Sequence, residues 1–226
     1  MRTKTFLGAL AVVLFVVLIW LILRLIGFRQ REVELACGPE LVKNGSFERG
    51  PSGGIELLTT RNNCASTNGL CLENWTIGGG ADRNPLVWYE NDNGNPVPRA
   101  SDGKQYLDLS GQFHKDVFPA VTQQIHLDAG RYELRFDVGQ GNFPPDVFGP
   151  VSVDVGLHGA ITGNPPPTFT TDKGGATWKT FAWLVSSTGG DIELVLAAHA
   201  GQKTAFIGLD AVSLRQLKPL GACVSS

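Results

Sequence analysis

Two hydrophobic patterns divide the chain. Residues 5–23 carry no charge, and 7–23 (LGALAVVLFVVLIWLIL) are almost wholly apolar, continuing past Arg24 as LIGF. Farther on, apolar residues recur at every second position: Tyr132, Leu134, Phe136 and Val138, then Val151, Val153, Val155 and Leu157, then Ile192, Leu194, Leu196 and Ala198. Period two is the signature of a strand with one face inward. The same criterion predicts strands at 41–48, 74–77, 104–109, 120–127, 178–185 and 205–214. Clusters such as Asn93-Gly94, Asp128-Ala129-Gly130, Gly163-Asn164-Pro165 and Thr188-Gly189-Gly190 separate them as turns. About nine short strands without a sustained helical period predict an all-β, two-sheet antiparallel sandwich.

The first pattern bears on location. Roughly 20 apolar residues span a bilayer, whereas the apolar part of a cleavable signal has about 7–15. The flank from Arg24 to Arg31 has no small-residue cleavage pattern, so the segment reads as an uncleaved signal anchor. Leu35-Ala36-Cys37 resembles a lipidation triplet, but Glu34 stands where an apolar residue is wanted. The expected organisation is a cytoplasmic stub at 1–4, a transmembrane segment at 5–27, a linker at 28–39 and the β-sandwich at 40–223. Arg2 and Lys4 on one side and Arg24, Arg29 and Arg31 on the other leave orientation open. The cysteines tip it outward: Cys37 and Cys223 bracket the domain and Cys64 and Cys71 enclose a short polar loop, a distribution suited to two disulfides in an oxidising compartment. Four unrelated thiols are the alternative. The expected place is the membrane, crossed once, with the C-terminal domain extracellular or periplasmic.

Composition narrows the function. The 226 residues are 18% charged with 28 Gly, a turn-rich and low-charge make-up. Past the first 36 residues, 14 basic side chains face 19 acidic ones, which disfavours nucleic acid as a partner. His114, His126, His158 and His199 are scattered and no G-x-S-x-G elbow occurs, so neither a hydrolase triad nor a histidine metal centre is signalled. Asp108, Glu133 and Asp137 lie at strand positions expected to face solvent. The chain is therefore expected not to be an enzyme.

Several motifs occur in a telling order: Leu41-Val42-Lys43-Asn44-Gly45-Ser46-Phe47-Glu48, Glu73-Asn74-Trp75, Asp102-Gly103-Lys104-Gln105-Tyr106-Leu107-Asp108-Leu109, Val121-Thr122-Gln123-Gln124-Ile125, Arg131-Tyr132-Glu133-Leu134-Arg135-Phe136, Trp178-Lys179-Thr180-Phe181 and Ile207-Gly208-Leu209-Asp210-Ala211-Val212-Ser213-Leu214. The series resembles the DUF642 and choice-of-anchor-C group of secreted proteins. That resemblance implies a galactose-binding-like jelly roll, the fold of many carbohydrate-binding modules, with Trp75, Trp178, Phe181, Tyr132 and Phe136 at core framework positions. The Gly221–Ser226 ending differs from the C-terminal sorting anchor of bacterial members, so attachment is expected from the N-terminal helix.

Asp210 falls in phase with Phe206, Val212 and Leu214, where a bare carboxylate is costly to bury. A hard cation would compensate it, and calcium accepts irregular sets of oxygens. The resemblance implies a structural calcium between the first and last strands, with Glu48, Asp210, Asp102 and the carbonyl of Ser46 as ligands. The competing expectation is a hydrogen-bonded aspartate in a strand bulge beside Gly208, with Glu48 a solvated strand end.

A sugar site needs a flat aromatic face and planar polar groups. Aromatic residues expected in loops meet that need: Trp88 and Tyr89 with Asn91, Phe113 with His114, and Asn142 with Phe143. The reading is a polysaccharide- or glycan-binding domain for cell-wall, envelope or matrix glycans. A structural or adhesion domain for protein partners is the alternative, and a glycan hydrolase a third. Asn44-Gly45-Ser46 and Asn74-Trp75-Thr76 are glycosylation sequons in form only.

Overall fold

Strands β6 (Ala120–Gln140) and β9 (Thr177–Ala198) form the axis of the molecule, paired antiparallel from Ala120↔Ala197 to Gln140↔Thr177. The structure is a computed structural model, and it describes residues 34–50, 56–58, 72–78, 86–90, 99–110, 120–140, 150–162, 168–172, 177–199 and 206–223. The other strands are β1 (Glu34–Glu40), β2 (Glu56–Leu58), β3 (Thr76–Gly78), β4 (Leu86–Glu90), β5 (Gln105–Asp108), β7 (Ser152–Thr162), β8 (Thr168–Thr170) and β10 (Ile207–Pro219). They follow one hydrogen-bonded path, β2-β4-β5-β10-β6-β9-β7-β8, with β1 beside β10 and β3 beside β6. The described residues contain no α-helix, and no helix among them is long and apolar enough to cross a membrane. The apolar segment at 5–27 lies outside the described residues.

The all-β, antiparallel expectation holds, with three local corrections. Residues 41–48 are a turn rather than a strand, and the first strand, β1, precedes them inside the expected linker. The pairs 120–127 with 132–138, and 178–185 with 192–198, are each one continuous strand. Their turn clusters lie opposite one another, Leu127 facing Gly190 and Ala129 facing Thr188. Two turn-forming stretches in register bend the ribbon instead of reversing either chain. Gly189 (φ 92°) and Gly190 (φ 133°) take backbone angles that side chains resist.

Across that bend the inward face changes. Val121, Gln123, Ile125 and Leu127 are buried before it, and Tyr132, Leu134, Phe136 and Val138 after it. β9 changes in step, with Val185 and Ser187 buried on one side and Ile192, Leu194, Leu196 and Ala198 on the other. The ribbon thus gives opposite faces to the core in its two halves, and these long strands serve both parts of one hydrophobic interior.

That interior includes Phe47, Leu72, Trp75, Leu107, Leu127, Phe136, Leu194 and Leu209. Burying each large side chain contributes about 1.5–3 kcal/mol. Phe136, Phe169 and Phe181 meet at 5.0–5.9 Å between centroids. Trp75, Tyr132 and Phe136 are core residues and Phe181 packs on them, but Trp178 is half buried and stands apart from this cluster. Its position in β9 has the opposite parity to Phe181, Trp183 and Val185, which places it on the other sheet face.

Ala36–Lys218 form one compact unit, with the rest of the chain outside it. Within that remainder Leu220–Ala222 form a single 3-10 turn, and the Cys223 N–H donates to the Leu220 carbonyl. Cys37 and Cys223 are disulfide-bonded, as expected. Cys64 and Cys71 lie outside the described residues.

Candidate functional site

The turn that replaces the expected first strand is organised by Asn44. Its φ of 55° is left-handed, a conformation asparagine tolerates better than most residues. Asn44 Nδ2 donates to the carbonyls of Arg49 (2.8 Å) and Glu73 (3.0 Å), and its Oδ1 accepts the Arg49 N–H (2.9 Å). Its carbonyl accepts the indole N–H of Trp75 at 2.9 Å, joining two motifs far apart in sequence. Gly45 must be glycine, since a Cβ there would lie 1.8 Å from the Val212 carbonyl oxygen. The Gly45 carbonyl in turn accepts the Val212 N–H at 2.9 Å, tying this turn to β10.

Glu48 leaves the turn exposed. Its Oε1 accepts the backbone N–H groups of Lys104 (2.6 Å) and Gln105 (2.7 Å). Asp210 sits in β10 with 0% exposure, where the pairing with β6 shifts between Asp210 and Ser213. Oδ2 of Asp210 accepts from Ser101 N (2.8 Å), Ser101 Oγ (3.1 Å) and Asp102 N (3.0 Å), while Oδ1 accepts from Ala211 N (2.7 Å). Burial pushes its carboxyl up to about 7, and the hydrogen bonds from Asp102, Ala211 and Ser101 work against that rise.

Ser46, Glu48 and Asp102 line one cleft of about 390 Å³ together with Glu40, Arg49, Ser213 and Arg215. Asp210 is not among the lining residues, but its chain neighbour Ala211 is. Glu40 is engaged by Val42 N, Leu214 N, Ser213 Oγ and Arg215 Nε, and Arg49 pairs with Glu73 at 3.2 Å. In donor type the residues fit a hard cation. Among the described residues, no cationic side chain sits on the buried Asp210 carboxylate, its Oδ1 accepts one bond, and Glu48 Oε2 accepts none. Against this, the described residues contain no group of three His, Cys, Asp or Glu side chains placed to share a metal ion. Any cation here would rely on hydroxyl and backbone oxygens beside the carboxylates.

Asp108 corrects an expectation. It is buried rather than solvent-facing, and Oδ1 accepts Ser110 N (2.8 Å) and Ile207 N (3.1 Å), linking β5 to the start of β10. Burial pushes its carboxyl up to about 6. Strand alternation hid this, because the second sheet face is covered here by Tyr106, Phe206 and Trp178, whose rings meet edge to face.

Trp88 and Tyr89 are not in a loop. They occupy consecutive positions of β4, opposite Leu107 and Tyr106 of β5. Asn91, Phe113, His114, Asn142 and Phe143 lie outside the described residues. His126 and Asp191 (2.7 Å) and His199 and Asp154 (2.9 Å) form surface pairs, and neither histidine is placed against a nucleophile by these bonds.

No protein-family model matches the sequence, and no curated protein does. Solved structures do share the fold. A family 61 carbohydrate-binding module in complex with β-1,4-galactotriose aligns over 79% of this chain and 99% of its own, at 16% identity and a TM-score of 0.51. A cyclase from Fischerella sp. TAU, in complex with 4-(1H-indol-3-yl)butan-2-one, aligns over 80% of this chain and 98% of its own, at 15% identity and a TM-score of 0.55. The fold is therefore of the carbohydrate-binding-module type, and at these identities the likeness speaks to the fold alone.

Proposed function

We propose that the chain is a non-catalytic carbohydrate-binding protein, anchored in the membrane by residues 5–27, whose β-domain stands outside the cytoplasm and recognises cell-wall, envelope or matrix glycans. The observation that carries this reading is the fold shared, over 79% of this chain and 99% of the other, with a module bound to a galactose trisaccharide. The finer assignment to the DUF642 and choice-of-anchor-C group belongs to the same proposal. It is supported by the way its motifs meet, Asn44 accepting from Trp75 and Asp210 gripping Ser101 and Asp102. A structural calcium held by Asp210 and Glu48, with Asp102 and Ser46 at the cleft, completes the reading. The ion would neutralise a buried charge and tie the N-terminal turn to β10.

The likeness to a cyclase favours a second reading, an enzyme acting on a small molecule. Weighing against it, the two buried carboxylates of the described residues, Asp108 and Asp210, already accept backbone N–H groups.

The test is a glycan array probed with the full chain, with protease protection of intact cells to locate the domain. Retention of polysaccharide probes by a surface-exposed domain is the expected result. A chain that binds no glycan and is cleaved only in lysed cells would overturn both parts.

A further inference from the structure

Gly139 of β6 is the register partner of both Gly208 in β10 and Trp178 in β9. A Cβ on Gly139 would fall 2.7, 2.8 and 2.9 Å from Cζ3, Cη2 and Cε3 of the Trp178 ring, and one on Gly208 would fall 2.9 Å from Cη2. Three consecutive ring atoms at nearly one distance mean that Gly139 lies under the face of the ring. An approach in the ring plane would leave the two flanking atoms much farther off than the central one. The indole therefore lies flat across two neighbouring strands, on a floor that glycine alone permits.

Its orientation is fixed independently. The Trp178 Nε1–H donates to the Arg99 carbonyl at 2.5 Å, and Tyr106 meets the ring at 74° with centroids 5.5 Å apart. With one face on the glycines, Trp178 is only half buried, so part of its surface is left to solvent. The same face continues along the strands through the register pairs Asp137↔Thr180 and Arg135↔Ala182. Arg135, Thr180 and Ala182 are exposed and Asp137 half exposed. Among the described residues, the side chains of Arg135, Asp137 and Thr180 have no hydrogen-bond or ion-pair partner. A rigid aromatic plane thus stands beside a carboxylate, a hydroxyl and a guanidinium that are not engaged elsewhere.

A hexopyranose ring has the matching chemistry. One side presents C–H groups that pack on an aromatic face, and its edge presents hydroxyls that donate to a carboxylate and accept from a guanidinium. We propose that Trp178, Asp137 and Arg135 form a binding site for a hexopyranose unit of a glycan on the open face of β6 and β9. The site rests on the carbohydrate-binding reading and gives it a place. It also adds to the expected loop aromatics a strand residue that the resemblance assigned to the core.

The test titrates β-1,4-galactotriose, cellotriose and β-1,4-mannotriose separately into the full chain and its variants, following tryptophan fluorescence and heat, with melting curves on each protein. Binding should weaken at least tenfold in Trp178→Ala and in Asp137→Ala. Trp178→Phe, which keeps a flat ring and loses the bond to Arg99, should fall between these and the wild type. If Trp178→Ala does not fold, Asp137→Ala and Arg135→Ala decide, because neither residue holds the structure together. Full affinity in both would overturn this site while leaving carbohydrate binding standing. A wild-type chain that binds none of the three sugars would overturn the carbohydrate reading and the site with it.

Discussion

Glu48 and Asp210 hold the two ends of a single turn: Asp210 takes the backbone N–H groups of Ser101 and Asp102, and Glu48 takes those of Lys104 and Gln105. Between them Gly103 adopts φ 69°, and a Cβ there would meet the Glu48 carboxyl at 2.4 Å. Two carboxylates converge on one short segment, held there by four backbone N–H groups and the Ser101 hydroxyl. A calcium ion shared by them would bind only the folded chain, and at 100 times its dissociation constant it would add about 2.7 kcal/mol. For a domain of this size that corresponds to a melting shift on the order of 2–4 °C per kcal/mol. Chelation is expected to lower the melting temperature of the wild type by several degrees and to leave Asp210→Asn unchanged. Identical wild-type curves with calcium and with chelator would leave Asp210 as a hydrogen-bonded bulge residue.

Asp108 predicts an unusual pH dependence. Burial raises its folded-state value from 3.8 to about 6, so between those values the folded protein holds a proton that the unfolded chain has released. Stability from this group is complete below the unfolded value, falls as the pH rises through about 6, and then levels off. The full span is worth roughly 3 kcal/mol at 1.36 kcal/mol per pH unit. In Asp108→Asn the amide oxygen still accepts from Ser110 and Ile207, so the variant should fold and lose this slope. Denaturant midpoints of wild type and variant at pH 4.5 and pH 8, in chelator, measure it, and parallel pH profiles would refute the assignment.

Asn44 combines a left-handed backbone with three side-chain hydrogen bonds. Asn44→Gly keeps the backbone and loses the bonds, whereas Asn44→Ala loses both. Expected losses are roughly 1–3 kcal/mol for the glycine variant and a further 1 kcal/mol or so for alanine. Urea denaturation separates them, and equal midpoints would show that the backbone angle costs nothing here.

Cys64 and Cys71 are expected to form the second disulfide of an oxidised domain, alongside the Cys37–Cys223 bond. Peptide mapping of the unreduced full chain should recover a cross-linked fragment containing both. Free thiols at these two positions, or either one paired with another chain, would contradict the loop staple.

The local character of the strands was legible because alternation is a property of neighbouring residues. Tyr132, Leu134, Phe136 and Val138 are buried as their spacing demands, as are Val151, Val153 and Val155. So is Asp210, whose phase with Val212 and Leu214 marked it as a carboxylate needing compensation. What compensates it came from elsewhere in the chain, from the N–H groups of Ser101 and Asp102.

Alternation assigns positions to two faces but cannot say what covers either one. Asp108 therefore looked solvated, whereas the structure buries it with Oδ1 accepting the Ser110 and Ile207 N–H groups. Trp178 looked like core until Gly139 and Gly208 gave its ring a floor on the opposite face. The turn signals at 128–130 and 188–190 were real, yet their effect depended on pairing: set opposite each other, they bend a ribbon instead of ending four strands. The sequence by itself determined where the long strands extend and which neighbouring residues of each share a face. Tertiary structure alone decided which face each strand gives to the core, because that depends on partners brought from far along the chain.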